Sequence, residues 1–155
     1  MAAGKRKSNA AGSTNTARAD VLRVLGVLKV ATTDQIQRIA MPHLNHRHTE
    51  KLTAARRKAA RTATHTAALA DLRTHRLVTT GGSTSAGEAL RHLTLKGLEA
   101  AATELQRPLS EMGATARGAG AAGAAHPMAV NETVIALLRP KPDMAKLIPR
   151  PAAVH

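Results

Sequence analysis

The sequence predicts a mainly α-helical chain with one small β-hairpin, and three observations carry that prediction. Apolar residues recur at helical spacing in separate stretches between residues 17 and 107. The run Gly81-Gly82-Ser83-Thr84-Ser85-Ala86-Gly87 divides two short strand-like segments. A new apolar-periodic stretch opens at once after the second segment, in the string LTLKG. Helix, strand, loop, strand, helix is the order in which a winged helix-turn-helix ends. The predicted fold class is therefore mainly α with a small β-hairpin wing, flanked by disordered or Pro/Gly-rich tails.

Taken in order, residues 1–16 are small, polar and basic without an apolar period, which predicts a disordered arm carrying Lys5, Arg6 and Lys7. Residues 17–107 form the winged-helix domain. Its first helix, over 17–30, presents Val21, Leu22, Val24, Leu25 and Leu28, with Gly26 weakening it by about 1 kcal/mol relative to Ala. Thr32 and Gln35 have the spacing of a capping box, so a second helix starts there, turns Ile36 and Ile39 inward and stops before Pro42. Residues 43–60 lack an apolar period and are expected to be an extended loop or a loose helix. A third helix over 61–76 turns Leu69 and Leu72 inward with Ala68, places His65 at the edge of the core, and shows Ala63, Thr66, Ala67 and Ala70 outward. Strands are expected at 77–80 and 88–94 around the 81–87 tip, followed by a helix with Leu95, Leu98, Ala102 and Leu105 on one face. Residues 108–126 are a Gly/Ala linker, and 127–155 are a helix plus a Pro-rich tail.

The formal net charge of +13 attracts polyanions. Residues 47–76 hold eight of the cations against only Glu50 and Asp71. The chain has no Phe, Tyr or Trp. Aromatic stacking on unpaired bases is thereby excluded, whereas duplex binding through phosphates and a helix requires no aromatic ring. The expected partner is double-stranded DNA. No apolar run approaches the roughly 20 residues of a membrane span, so no membrane association is expected. The expected location is cytoplasmic, with the nucleoid.

Within this frame Arg56, Arg57, Lys58 and Arg61 are expected to bind phosphates, at the amino-terminal end of the third helix and just before it, where free amides and the helix dipole also favour anions. Thr62, Thr64 and Thr66 are candidates for base edges or backbone, and Arg91 for the minor groove or a neighbouring phosphate. If about four to six cations meet phosphate, log affinity falls with log salt at a slope of roughly −4 to −5. His43, His46 and His48 have a spacing that invites a metal. The chain has no Cys and the nearest acid is Glu50, so they are expected to be further donors toward DNA, with no metal and no cofactor. Lacking Tyr and Cys nucleophiles, a close carboxylate pair and a phosphate-binding GxxxxGK[ST] loop, the chain is not expected to be an enzyme. A transcriptional regulator with the same fold, or a docking module for an acidic partner, are the alternatives.

The strings LGVLKVATTDQIQRIA (25–40), ARTATHTAALADLRTHRLV (60–78), GGSTSAGEALRHLTLKGLEAAATEL (81–105) and HPMAVNETVIALLRPKPD (126–143) resemble the replication-relaxation family, plasmid- and mobile-element-associated proteins common in GC-rich actinobacteria. The resemblance implies an amino-terminal winged helix and a link to plasmid replication, relaxation or transfer, with proteins of those processes as partners. Members continue into a second, nuclease-like domain. From about Met144 the sequence leaves the family pattern, so residues 127–155 are expected to be the stub of that domain in a truncated member. The helix at 95–107 or the segment at 127–138 offers a two-fold contact, so a homodimer is a further expectation.

Overall fold

The computed structural model describes residues 9–115 and 125–138. The Lys5-Arg6-Lys7 cluster, residues 116–124 of the expected linker and the tail 139–155 lie outside the described residues. The described chain is mainly helical, with one three-stranded antiparallel sheet.

Helix α1 spans Asn15–Leu28, capped by the Thr14 hydroxyl on the Ala17 amide. Its apolar stripe buries Ala17, Val21, Leu22, Val24 and Leu25. Gly26 has a packing reason. A Cβ there would lie 3.0 Å from Ala101 Cβ and 3.1 Å from Met112 Cε, so its absence lets another helix approach closely. Strand β1 is only Val30–Ala31. Helix α2, Thr33–Ala40, starts at the capping box that Thr32 and Gln35 predict, with both reciprocal bonds present. Pro42 then opens a 3-10 turn, Pro42–His46.

Helix α3 spans Ala54–Thr74, beginning seven residues before the expected start at 61. Its first two turns have almost nothing apolar to bury, so apolar periodicity is silent there. Ala, Arg and Lys are nevertheless strong helix formers, and Thr53 caps the Arg56 amide. The buried face is Thr62, His65, Ala68, Leu69, Asp71 and Leu72. Strands β2, Val78–Ser83, and β3, Ala89–Leu93, form the hairpin, with Thr79 opposite His92 and a bulge between Thr80 and Ser83. β1 adds to the far side of β3, giving the order β1-β3-β2. Helix α4, Leu95–Leu105, is capped by Thr94 and packs on α1. Leu98, Ala101 and Ala102 face inward, but Leu95 is 63% exposed, in contrast to the expected inward position.

The core joins α1, α2, α3, α4 and the sheet through Leu, Val, Ile, Ala and Met, without one aromatic ring. Each fully buried Leu or Ile in it contributes about 1.5–3 kcal/mol. Two segments outside the expected 17–107 boundaries join this body. Met112 is buried in the same core, behind a 3-10 turn at Leu109–Glu111. Helix α5, Ala125–Leu138, packs on α2 and β1. There the buried Asn131 amide donates to Val30 O at 2.7 Å and Gln35 Oε1 at 2.9 Å.

Residues 9–14 of the expected disordered arm are also engaged. Asp71, 1% exposed, accepts from the amides of Ala11 (2.8 Å) and Ser13 (3.0 Å) and from the Ser13 hydroxyl, while His75 meets Asn9 at 2.9 Å. Burial alone would raise the Asp71 carboxyl. The Ser13 hydroxyl, the two amides and the Arg18 charge outweigh it and hold the carboxyl below its ordinary value. A carboxyl depressed in the folded state stabilises the fold above its unfolded pKa, and that stability is lost as pH falls through the folded value. Asp71→Asn is therefore expected to melt below the native chain at pH 7. The gap should narrow once pH drops below about 4. A gap that stays constant from pH 7 to pH 3 would show that the Asp71 charge is not what ties the segment down.

Candidate functional site

The cations expected at the start of the third helix lie within α3 and not in a loop before it. They divide into two groups with different duties. Arg56 is exposed on the outer face, its side chain without a partner among the described residues. Arg57 is half-buried and donates to Lys51 O at 2.9 Å, which leaves its charge uncompensated. Lys58 instead reaches the hairpin, where its ammonium lies 3.0 Å from a Glu88 carboxylate oxygen. Arg61 is paired with Asp34 at the start of α2. Asp34 also holds Arg38 Nε at 3.0 Å, and Arg38 in turn holds Glu132 of α5. The Glu132 hydrogen bond and both acids keep the Arg38 guanidinium firmly charged despite its burial. Arg61, Asp34, Arg38 and Glu132 thus form a chain of alternating charge that ties α3 to α2 and α2 to α5. Two of the four expected phosphate ligands, Lys58 and Arg61, are committed inside the protein.

The same elements open a cleft of about 550 Å³ between the 3-10 turn at Pro42–His46 and the first turns of α3. Arg38, Arg47, Arg57, Lys58 and Arg61 line it together with Asn45 and Thr49. Arg47 was not among the expected ligands. It lies in the aperiodic stretch 43–60, where only the turn into α3 brings it beside Arg57.

The threonines divide as well. Thr62 is 7% exposed and its hydroxyl bonds Lys58 O at 2.7 Å, so it faces inward and is not available to a base edge. Thr64 and Thr66 are exposed. With Ala59, Ala63 and Ala70 they make an outward face that carries no side chain larger than threonine between Arg56 and Arg73. Arg73 falls on that face by the same helical spacing that predicts Thr66, a signal legible in the sequence. His65 is fully buried, its Nε2 3.3 Å from Asp20, in keeping with a place at the edge of the core.

The hairpin stands beside α3. Thr84 closes its tip, with its amide on Glu88 O at 2.8 Å and its hydroxyl accepting the Glu88 amide at 3.1 Å. Residues 81–87 carry no charge, so any attraction the hairpin exerts on an anion comes from its base. Arg91 is there, half-buried on β3, donating to Thr80 Oγ1 at 2.9 Å.

His43 and His46 are exposed, and His48 lies 3.8 Å from Glu50. Among the described residues no group of three or more His, Cys, Asp or Glu is arranged to hold a metal ion. No helix among them is long and apolar enough to cross a membrane. Compared with known protein families, with curated proteins and with solved structures, the chain matches none.

Proposed function

We propose that this chain binds double-stranded DNA as a winged helix-turn-helix, with α3 as the groove-facing helix and the β2–β3 hairpin as the wing. The strand order β1-β3-β2, with β1 between α1 and α2 and the hairpin directly after α3, is compatible with that fold. The observation that carries the reading is the outer surface of α3. Its start borders a cleft where Arg47 and Arg57 have no acid partner among the described residues, with the exposed Arg56 beside it, and its outward face is flat and small from Ala59 to Ala70. Charges at the helix end hold phosphates, and small side chains let the helix axis come close to base edges. The lack of aromatic rings favours a duplex over single strands. The role is binding without chemistry. From the resemblance to the replication-relaxation family, we further propose that the duplex belongs to a plasmid or mobile element.

The ion pairs of Lys58 and Arg61 lower the number of cations free for phosphate. If Arg47, Lys51, Arg56 and Arg57 each neutralise one, log affinity should fall with log salt at a slope of about −3.6. Fluorescence anisotropy of a labelled duplex across a salt series measures that slope. Absence of duplex binding at low salt, or an affinity indifferent to salt, would overturn the reading.

A further inference from the structure

Helix α5 hides little of its surface. Its one charged residue, Glu132, bonds Arg38, and its buried residues are Asn131 and Ile135, on the side that packs on α2 and β1. A helix that is apolar nearly all round is covered on more than one side in a stable protein. Beside the buried face, Pro127, Val130, Val134 and Leu137 follow one another at spacings of three, four and three. That is the seam by which one helix packs lengthwise against another. Val130 and Leu137 are exposed, Leu137 by 80%.

The seam borders an open apolar groove of about 360 Å³. Val24, Val27 and Leu28 of α1, Leu105 of α4, and Val134 and Leu138 of α5 line it. Val27 is 65% exposed and Leu138 57%. With Val130 and Leu137 they make a patch on the order of 400 Å², large enough to mark an interaction site. A standard interface takes about 800 Å² from each partner, polar rim included, so such a patch can form its apolar core. The charged residues lining the groove are Asp20 and Arg23, an ion pair at 2.8 Å, so the groove is neutral in a chain of net charge +13. A second copy meets no local repulsion there. The sequence after Leu138 is unsuited to the seam. Residues 139–155 hold prolines at 140, 142, 149 and 151, and the longest run without one is six residues, under two helical turns.

We propose that the occupant of this face is a second copy of the chain, with two α5 helices packed antiparallel about a two-fold axis near Val134. Val130 of each copy then lies opposite Leu137 of the other, a small side chain against a large one, and the Val27 end of each groove closes over the other copy's α5. Of the two segments whose sequence offers a two-fold contact, α5 is the one left open. Helix α4 turns Leu98, Ala101 and Ala102 into the core and leaves only Leu95 exposed among its leucines. The inference stands without the duplex-binding reading. Joined to it, the dimer presents two α3 helices about one axis, and its target is an inverted repeat.

Sedimentation equilibrium of the full chain, without DNA, is the test. A dimer with a Kd on the order of 10 µM is expected. It should tighten as salt is raised, because salt screens the repulsion between two chains of net charge +13. Duplex binding responds to salt in the opposite sense. Val130→Lys/Leu137→Lys sets like charges opposite each other across the axis and should raise the Kd more than about 100-fold. Val130→Lys/Leu137→Glu sets opposite charges there and should recover at least about tenfold of that loss. Leu95→Lys, on the exposed side of α4, should leave the Kd unchanged. Leu137→Lys alone should leave the melting temperature of the dilute monomer unchanged, since that side chain is mostly exposed. A full chain that is monomeric at about 100 µM, where such a dimer would predominate, overturns the proposal. So do an equal loss in the two double variants and a loss caused by Leu95→Lys. Within the monomeric outcome, destabilisation by Leu137→Lys would assign the groove to residues 139–155 of the same chain, and an unchanged melting temperature would assign it to a different protein.

Discussion

Gly97→Ala is expected to lower the melting temperature by more than about 10 °C, since of the glycines whose surroundings are described it is the one where a methyl group meets backbone. Gly97 lies in the first turn of α4, buried, with its amide bonded to the Thr94 hydroxyl at 3.0 Å. A Cβ at this position would lie 1.9 Å from the carbonyl oxygen of Leu77 and 2.8 Å from its carbon. No rotamer change relieves a clash with backbone. The obstructing carbonyl is also fixed, because it accepts the Thr94 amide at 3.0 Å. Either α4 moves off the end of α3 or the entrance to β2 shifts, and both disturb the root of the hairpin. Overpacking of this kind costs about 3 kcal/mol or more, well above the roughly 1 kcal/mol that alanine would return through helix propensity. Circular dichroism melts of Gly97→Ala beside Leu95→Ala, an exposed control two residues away, make the comparison. A Gly97→Ala chain as stable as the native one would mean that α4 does not sit against Leu77 as described.

Reversing two charges at the start of α3 should have the largest functional effect. The double variant Arg56→Glu/Arg57→Glu is expected to bind duplex more than about 100-fold more weakly at about 0.1 M salt, with the salt slope reduced by about 1.8 as two phosphate contacts are lost. Its fold should survive, because among the described residues the Arg56 side chain has no partner and Arg57 bonds only a loop carbonyl. The neighbouring cations would not serve this test. Arg61→Glu places a carboxylate against Asp34, which already holds Arg38, and breaks the link between α2 and α3. Lys58→Glu sets a carboxylate against Glu88 and breaks a half-exposed ion pair between α3 and the hairpin. Lost DNA binding in either variant would therefore mix a lost ion pair with a lost cation. Native affinity in the double variant, or a loss that does not depend on salt, would argue against phosphate neutralisation at this end of the helix.

Local signals account for what was legible. The capping box at Thr32 and Gln35 is complete within four residues, so its sequence spacing and its geometry coincide. The hairpin follows from alternation around a Gly-rich tip, although β2 runs through Gly81 and Gly82 to Ser83 and shortens the expected tip. Strand β1 was not legible, since two residues show no period and pair only with a partner about sixty positions away. The early start of α3 was hidden for a related reason. Its first turns are helical through propensity and capping and bury almost nothing, so a search for apolar spacing finds only the second half.

The sequence by itself determined that the chain is mainly helical with one hairpin, that it lacks rings for base stacking, and that its positive charge concentrates around α3. These follow from composition and short-range periodicity, which a single strand of text records in full. Only the tertiary structure decided which charges are available. Lys58 and Arg61 look like Arg56 and Arg57 in sequence, yet Glu88 and Asp34, thirty and twenty-seven residues away, pair with the first two and leave the others without a counter-charge among the described residues. Thr62 and Thr66 read alike until one bonds its own helix and the other faces outward. Pairing between charges is set by distance in space, and that distance is created by the packing of the core and not by the order of the residues.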